Sequence, residues 1–205
     1  MNAARAVHVA GWGAVTGFGV GVDALFDGIW SGSSAIAPRR RTAGGPVPTQ
    51  VAAEVPGLCE VVPSERALHI ARLAASEALA RAGGMSSEEV PLLLASTKGE
   101  LTGLGSGASC EVSLADGAGL GAPGHLARRL TMDLHSPALL GAVSCACASG
   151  VLALSLAARR IARGEVERVL VVGVDVLDGF ILAGFGGLGA LARIIQCDTK
   201  VYETQ

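Results

Sequence analysis

The stretch GAVSCACASG, Gly141 to Gly150, sets Cys145 and Cys147 one residue apart, between the apolar run SPALL and the alanine-rich VLALSLAARRIARG. Two thiols so spaced could fill core space, clip a metal, form a disulfide or supply a nucleophile. A structural zinc site uses four ligands, usually in pairs separated by two or more residues, and no second pair is present. A disulfide between residues two apart is strained. Packing and nucleophilic chemistry remain. A turn from strand to helix projects a side chain out of the packed sheet, and a helix start offers unpaired N–H groups and partial positive charge. A cysteine there has its thiolate stabilised, and the thiolate is the attacking species in acyl transfer. Cys147 falls at that turn, where Ala146, Ala148, Ser149 and Gly150 leave room for a bulky acyl group. Cys145 lies nearer the strand end and is expected to be buried. On chemistry alone, a packed cysteine stays open as the alternative.

Other motifs carry less. In GWGAVTG the glycines run G-x-G-x-x-x-G, and helix signals begin only at Val22 or Asp23. A dinucleotide fingerprint needs the helix start directly at its glycines. ASTKGE has the P-loop's Lys and Thr in the wrong order and lacks its leading glycines. His69 lies within a helical pattern and reads as structural. The triple Arg39, Arg40 and Arg41 reads as a solvated loop.

Cys145 and Cys147 must be held by the surrounding elements. Val7 to Trp12 reads as a strand entering a Gly-rich loop, followed by a short helix with Leu25, Phe26, Ile29 and Trp30 at helical spacing and Gly32 as its stop. PSERALHIARLAASEALARAGG predicts a helix capped by Ser64, apolar at Ala67, Ile70, Leu73, Ala74 and Ala78, and ended by Gly83 and Gly84. VPLLLAST reads as a strand buried on both faces. GHLARRLTMDL reads as a helix and PALLGAVS as a strand. ASGVLALSLAARRIARGE follows as a helix with Leu152, Leu156 and Ile161 on its apolar side. VERVLVVGVDV is a strand and LDGFILAGFGGLGAL a short apolar helix. Strands alternating with helices predict an α/β layered fold with a mostly parallel mixed sheet flanked by helices.

The chain has 205 residues, enough to bury a substantial core. Half of them are hydrophobic but only 3% aromatic, so Ala, Val, Leu and Ile must build that core. A net charge of -2 offers no basic surplus for nucleic acid or an anionic membrane. Five irregularly spaced cysteines suit free thiols in a reducing, cytoplasmic compartment. The N-terminus lacks a compact apolar signal segment. Pro137 to Ala158 is 22 residues without a charge, long enough to span a bilayer, but its run of Gly, Ser and Cys splits it into strand and helix. Through Arg193 the chain uses 14 Arg and one Lys; the tail 194–205, IIQCDTKVYETQ, has one Lys, the sole Tyr and no Arg, Gly or Ala. That shift reads as a frame change or foreign sequence.

The segment SCACASGVLALSLAARRIARGEVERVLVVGVDV resembles the active-site segment of β-ketoacyl acyl-carrier-protein synthases, members of the thiolase superfamily. Their hallmark is T-A-C-A-S followed by Gly or Ser, then an alanine-rich helix and a strand ending near an acidic residue. Cys147 takes the nucleophile's place and Cys145 that of the usual Thr. VHVAGWGAVTGFGVGVDALFDGIWSGSSAI resembles the family's N-terminal strand, turn and first helix, and FILAGFGGLGAL its Phe-rich segment beside the acyl pocket. LLASTKGE hints at the subgroup that handles polyene-type chains. The resemblance implies a thiolase-like fold, with residues 1–193 as its N-terminal half. It implies Cys147 as nucleophile and, through its N–H, oxyanion donor, with Phe180 and Phe185 at the acyl pocket. It implies neither metal nor cofactor. The implied partners are acyl carrier protein bearing acyl or malonyl thioesters, and a homodimer or a ketosynthase heterodimer paired through the strand at Ala138 to Val143.

Family members are about twice this length, and their second half supplies two histidines in H-G-T-G-T-like and N-S-x-x-G-H-like contexts. His8, His69, His125 and His135 match neither. Decarboxylative condensation needs donors for an enolate oxygen, and losing one oxyanion donor costs about 10²–10³ in rate. The expectation is a chain incomplete for condensation, with an apolar face exposed where a second half packs. The expected chemistry is chain elongation of fatty acid, polyketide or aryl polyene type. A non-catalytic chain-length partner is the first alternative, although such partners usually replace the Cys. A membrane or structural protein built on Pro137 to Ala158 is the second.

Overall fold

The computed structural model describes residues 6–38, 51–100 and 122–191. Its centre is a parallel sheet of three strands, β5 (Leu92–Ala95), β6 (Leu139–Val143) and β7 (Leu170–Gly173), in the order β6-β5-β7. Ala95 stands opposite both Val143 and Gly173, so the carboxyl ends of all three strands lie level. All four β5 residues are buried, which is what an uncharged run with a strand on each edge requires.

The side chains of β5 alternate between two layers. Leu92 and Leu94 join Leu170 and Val172 under α2 (Arg66–Arg81) and α3 (Pro123–Asp133), whose Ile70, Ala71, Leu126 and Leu130 complete that core. Leu93 and Ala95 face the other way, with Val143, onto Ala153 and Ala157 of α4 (Ser149–Ala162). The connections explain this split. The chain moves one way from β5 to β6 through α3, then back past β5 to β7 through α4. Crossovers of one hand in opposite directions must lie on opposite faces.

The expected strand at Val7 to Trp12 is not formed. A strand needs an edge to pair with, and none of the described strands reaches this segment; Val9 and Trp12 stay exposed. The segment lies instead against α2. A Cβ at Gly13 would fall 2.0 Å from the Ala74 carbonyl oxygen, and one at Gly11 2.3 Å from that of Ala78, so only glycine permits this approach. A hairpin of β1 (Val15–Thr16) and β2 (Gly19–Val20) then leads into α1 (Val22–Trp30), and β3 (Ala37–Pro38) pairs with β4 (Val51–Ala52). Gly32 ends α1 in the left-handed region, as expected. Ser64 does not cap α2. Pro63–Glu65 forms a turn of 3₁₀ helix ahead of it, and α2 starts at Arg66. Pro137 to Ala158 divides into β6 and α4, and no helix among the described residues is long and apolar enough to cross a membrane.

Glu77 of α2 fastens the N-terminal segment. Its carboxylate accepts from the Val22 N–H at 2.8 Å, the Ala14 N–H at 3.0 Å and the Arg81 Nε at 3.1 Å. It thus caps α1 from a distance, and Arg81 reaches on to Asp23 at 2.8 Å. Burial opposes the charge on Glu77, but the Val22 and Ala14 donors together with Arg81 outweigh it and hold the carboxyl below the ordinary glutamate range. A lowered value stabilises the fold above the ordinary range, and that stability drains as pH falls through the lowered value. Glu77→Gln should therefore cost about 2 kcal/mol near neutral pH. In urea melts, the gap from the parent should close on moving from pH 7 toward pH 3. A gap that ignores pH would rule out this role.

Candidate active site

Beyond Val143 the chain turns sharply before α4 begins. Ala148 N–H donates to Cys145 O at 2.9 Å, and Ser149 N–H to Ala146 O at 3.1 Å. The buried Ser149 hydroxyl clamps the same turn, accepting from Cys145 N–H at 2.8 Å and donating to Ala146 O at 2.7 Å. Ala146 pays for the tightness with φ of 45°, in a region that costs a residue with a Cβ about 1–2 kcal/mol. Cys147 follows Ala146 and precedes the Ala148 cap position. No side chain caps α4, so its positive end stays open to negative charge.

Cys147 is exposed, as a nucleophile must be. Cys145 is exposed too, contrary to the expectation of burial. The reason is local: β6 ends at Val143, so Cys145 already belongs to the turn that Ser149 ties off. Cys110 and Cys197 lie outside the described residues, as does the tail 194–205.

The same edge of the sheet carries a polar lattice. Asp175, after β7, accepts from Ser96 Oγ at 3.0 Å, Thr97 N–H at 3.1 Å and Thr97 Oγ1 at 2.6 Å. Ser144 Oγ donates to Thr97 O at 2.9 Å and ties the nucleophile turn to the loop after β5. Chain exits from β5 and β6 go to opposite faces here, which opens the crevice where α/β sheets bind ligands. Further along that loop, buried Glu100 pairs with Arg129 at 2.7 Å and accepts from Leu68 N–H at 3.2 Å. Arg129 also holds Glu65 at 2.6 Å.

None of Ser144, Ser149, Thr97, Asp175 and Glu100 emerges from the sequence as a site residue, although an STKGE run after an apolar strand was a usable signal. Phe185 sits on α5 (Gly179–Gly187) and is half exposed, while Phe180 lies in the first turn of that helix and its side chain is outside the described residues. His69 on α2 and His125 on α3 lie across the sheet from α4. A cavity of about 430 Å³ is lined by Thr16, Val55, Cys59 and Asp175 among others, but by neither turn cysteine.

The apolar side of α4 also differs from the expected one. Ala153 and Ala157 face the sheet, where small side chains let the helix sit close, whereas Leu152 and Leu156 point outward with Val151 and Leu154. Val151 is 73% and Leu154 55% exposed, a helix face left without cover among the described residues.

The clamp gives a direct test. Ser149→Ala removes both hydroxyl bonds and should cost about 1–3 kcal/mol. Alkylation of Cys147 by iodoacetamide, followed by mass spectrometry at fixed pH, should change while that of Cys59 does not. Equal rates at Cys147 in a folded variant would show that Ser149 does not set the turn.

The family model for the β-ketoacyl synthase N-terminal domain matches residues 4–200. Among solved structures, the ishigamide ketosynthase/chain length factor is similar at 25% identity and a TM-score of 0.76, over 94% of this chain and 53% of its own. A β-ketoacyl synthase from Burkholderia phymatum STM815 is similar at 24% identity and a TM-score of 0.67, over 90% of this chain and 50% of its own. A type II PKS acyl-carrier protein in complex with its ketosynthase bound to the hexaketide shares the fold at 20% identity and a TM-score of 0.66, over 93% and 50%. The chain thus spans about half the length of these structures. No curated protein matches it. The match to the family model runs over nearly the whole chain, and the parallel sheet with helices on both faces agrees with it: the chain belongs to the β-ketoacyl synthase family, through that family's N-terminal domain.

Proposed function

We propose that Cys147 accepts an acyl group in a ketosynthase reaction. The observation that carries this reading is its position: exposed, on a clamped turn at the carboxyl edge of the sheet, beside the uncapped start of α4. The Cys147 thiolate attacks the carbonyl carbon of an acyl thioester. A C–S bond forms, the donor's C–S bond breaks, and the carrier thiolate leaves and takes a proton. The Cys147 N–H supplies one donor to the oxygen that becomes negative. In the second stage a malonyl thioester loses carbon dioxide, its carbanion attacks the acyl-enzyme carbonyl, and the Cys147 thiolate is released.

That second stage needs donors for the enolate oxygen, a role none of His8, His69, His125 and His135 matches by motif. We assign residues 1–193 to the N-terminal half of the fold and the tail 194–205 to a separate, atypical stretch. A second half then brings the missing donors and covers Val151 and Leu154 on α4. The substrates are acyl and malonyl groups on acyl carrier protein, in chain elongation of polyketide, fatty acid or aryl polyene type. The likeness to a polyketide-type complex with its carrier protein supports the first of these. We assign Phe180 and Phe185, both residues of α5, to the acyl pocket. Among the described residues β6 lies at the edge of the sheet, and its outer side takes a partner's strand in this reading, in a homodimer or with a second ketosynthase-like chain. A thiolate mechanism fits a reducing, cytoplasmic setting.

One observation favours a second reading, a chain-length partner without condensing activity: the structure similar at a TM-score of 0.76 is a ketosynthase/chain length factor. The retained Cys147 favours the enzyme. Incubation with an acyl thioester and intact-mass analysis separates the two. The expected result is one acyl group on Cys147, retained in Cys145→Ala and Cys145→Thr, lost in Cys147→Ala, with no condensation product from this chain alone. Equal acylation of Cys147→Ala and the parent would remove Cys147 from the role.

A further inference from the structure

Lys98 is the only lysine in a stretch of 193 residues that otherwise uses arginine for every cation. It is also the buried one: its side chain is 2% exposed. A buried ammonium is costly, and an apolar residue of similar volume would often serve stability better. Its presence calls for a positional reason, and its partner supplies one. Lys98 Nζ pairs with Oδ2 of Asp178, whose other oxygen, Oδ1, accepts from the Ile181 N–H at 3.0 Å and caps α5. One carboxylate thus holds both the loop after β5 and the start of α5.

That loop is held independently of Lys98. Asp175 binds Ser96 and Thr97, and Ser144 Oγ reaches Thr97 O. The nucleophile turn has its own clamp in Ser149. By contrast, α5 is sparsely anchored among the described residues. Leu182 is buried, but Phe185 and the following Leu188 are exposed. A route of bonds therefore runs from the Cys147 turn to α5 through Ser144, Thr97, Lys98, Asp178 and Ile181. The Lys98–Asp178 pair is the link in it that can be removed without touching either clamp.

We infer that Lys98 and Asp178 are positioning residues that fix α5 relative to Cys147 and so set which acyl-chain lengths reach the thiolate. This rests on the reading of Cys147 as the acyl acceptor and of α5 as a wall of the acyl site. Neither residue touches the reacting atoms.

The test alkylates this chain with iodoacetamide and with N-alkyl iodoacetamides from methyl to dodecyl, following Cys147 by peptide mass spectrometry. In each case the thiolate forms a bond to the CH₂ carbon and iodide leaves, so no oxyanion donor is required. In Lys98→Met and Asp178→Asn, the iodoacetamide rate at Cys147 should hold, while the dodecyl-to-methyl rate ratio moves by about threefold or more. Asn keeps an oxygen for the Ile181 N–H, so the cap survives that change. Lys98→Arg should restore part of the parent ratio. If either single variant fails to fold, Lys98→Met with Asp178→Asn removes both charges at once and should show the same shift. A ratio unchanged in the folded variants, or flat across chain lengths in the parent, overturns the inference and leaves Cys147 as acceptor. Labelling of Cys147→Ala equal to the parent at that peptide overturns the reading beneath it.

Discussion

A four-residue strand without a polar side chain, paired on both edges, must be covered on both faces. β5 imposes that constraint, and the molecule is arranged around it. Leu92 and Leu94 demand the α2–α3 layer, and Leu93 and Ala95 demand α4. Because α4 can approach only through Ala153 and Ala157, its N-terminus is brought close to the sheet's carboxyl edge, and the turn leading into it carries Cys147. Packing thus places the reactive group before any polar contact is counted.

The polar contacts then refine the placement. Three loops leave the level ends of β5, β6 and β7, and side-chain bonds tie them to one another. Asp175, Ser96, Thr97 and Ser144 satisfy one another across these loops. Their bonds cross the crevice from β7 to β6, so groups that are distant in sequence become one rigid rim. Glu77 does the equivalent at the other end of the chain, where two glycines let an unpaired segment lie on a helix whose carboxylate then holds its N–H groups.

Much of this was legible in the residues. The uniform apolarity of Leu92 to Ala95 and of Leu170 to Val172 announced buried parallel strands, and the break at GAVSCACASG announced the turn. Cys147 could be singled out because its chemistry, its small neighbours and the family's motif agree. What could not be read depended on neighbours remote in sequence. The Val7 segment has strand composition, but composition does not reveal whether an edge is available. On α4 the leucine stripe looked like the packed side, yet the distance between helix and sheet selected the alanines. Cys145 is the local exception: a serine four residues later ties it into the turn and leaves it exposed. Lys98 is the single lysine through Arg193, and only the position of Asp178 gives it meaning.

Ala146 has a bearing on how this turn can be redesigned. Its backbone is held in a conformation that glycine adopts freely and alanine does not. Glycine at this position would relieve the strain of the folded turn and at the same time enlarge the number of shapes open to the unfolded chain and to the turn itself. The methyl group of Ala146 therefore acts as a steric ratchet: it raises the energy of the native shape and also narrows the range of alternatives. Improving thermal tolerance and sharpening the aim of the neighbouring sulfur become separate goals, set against each other by one carbon atom.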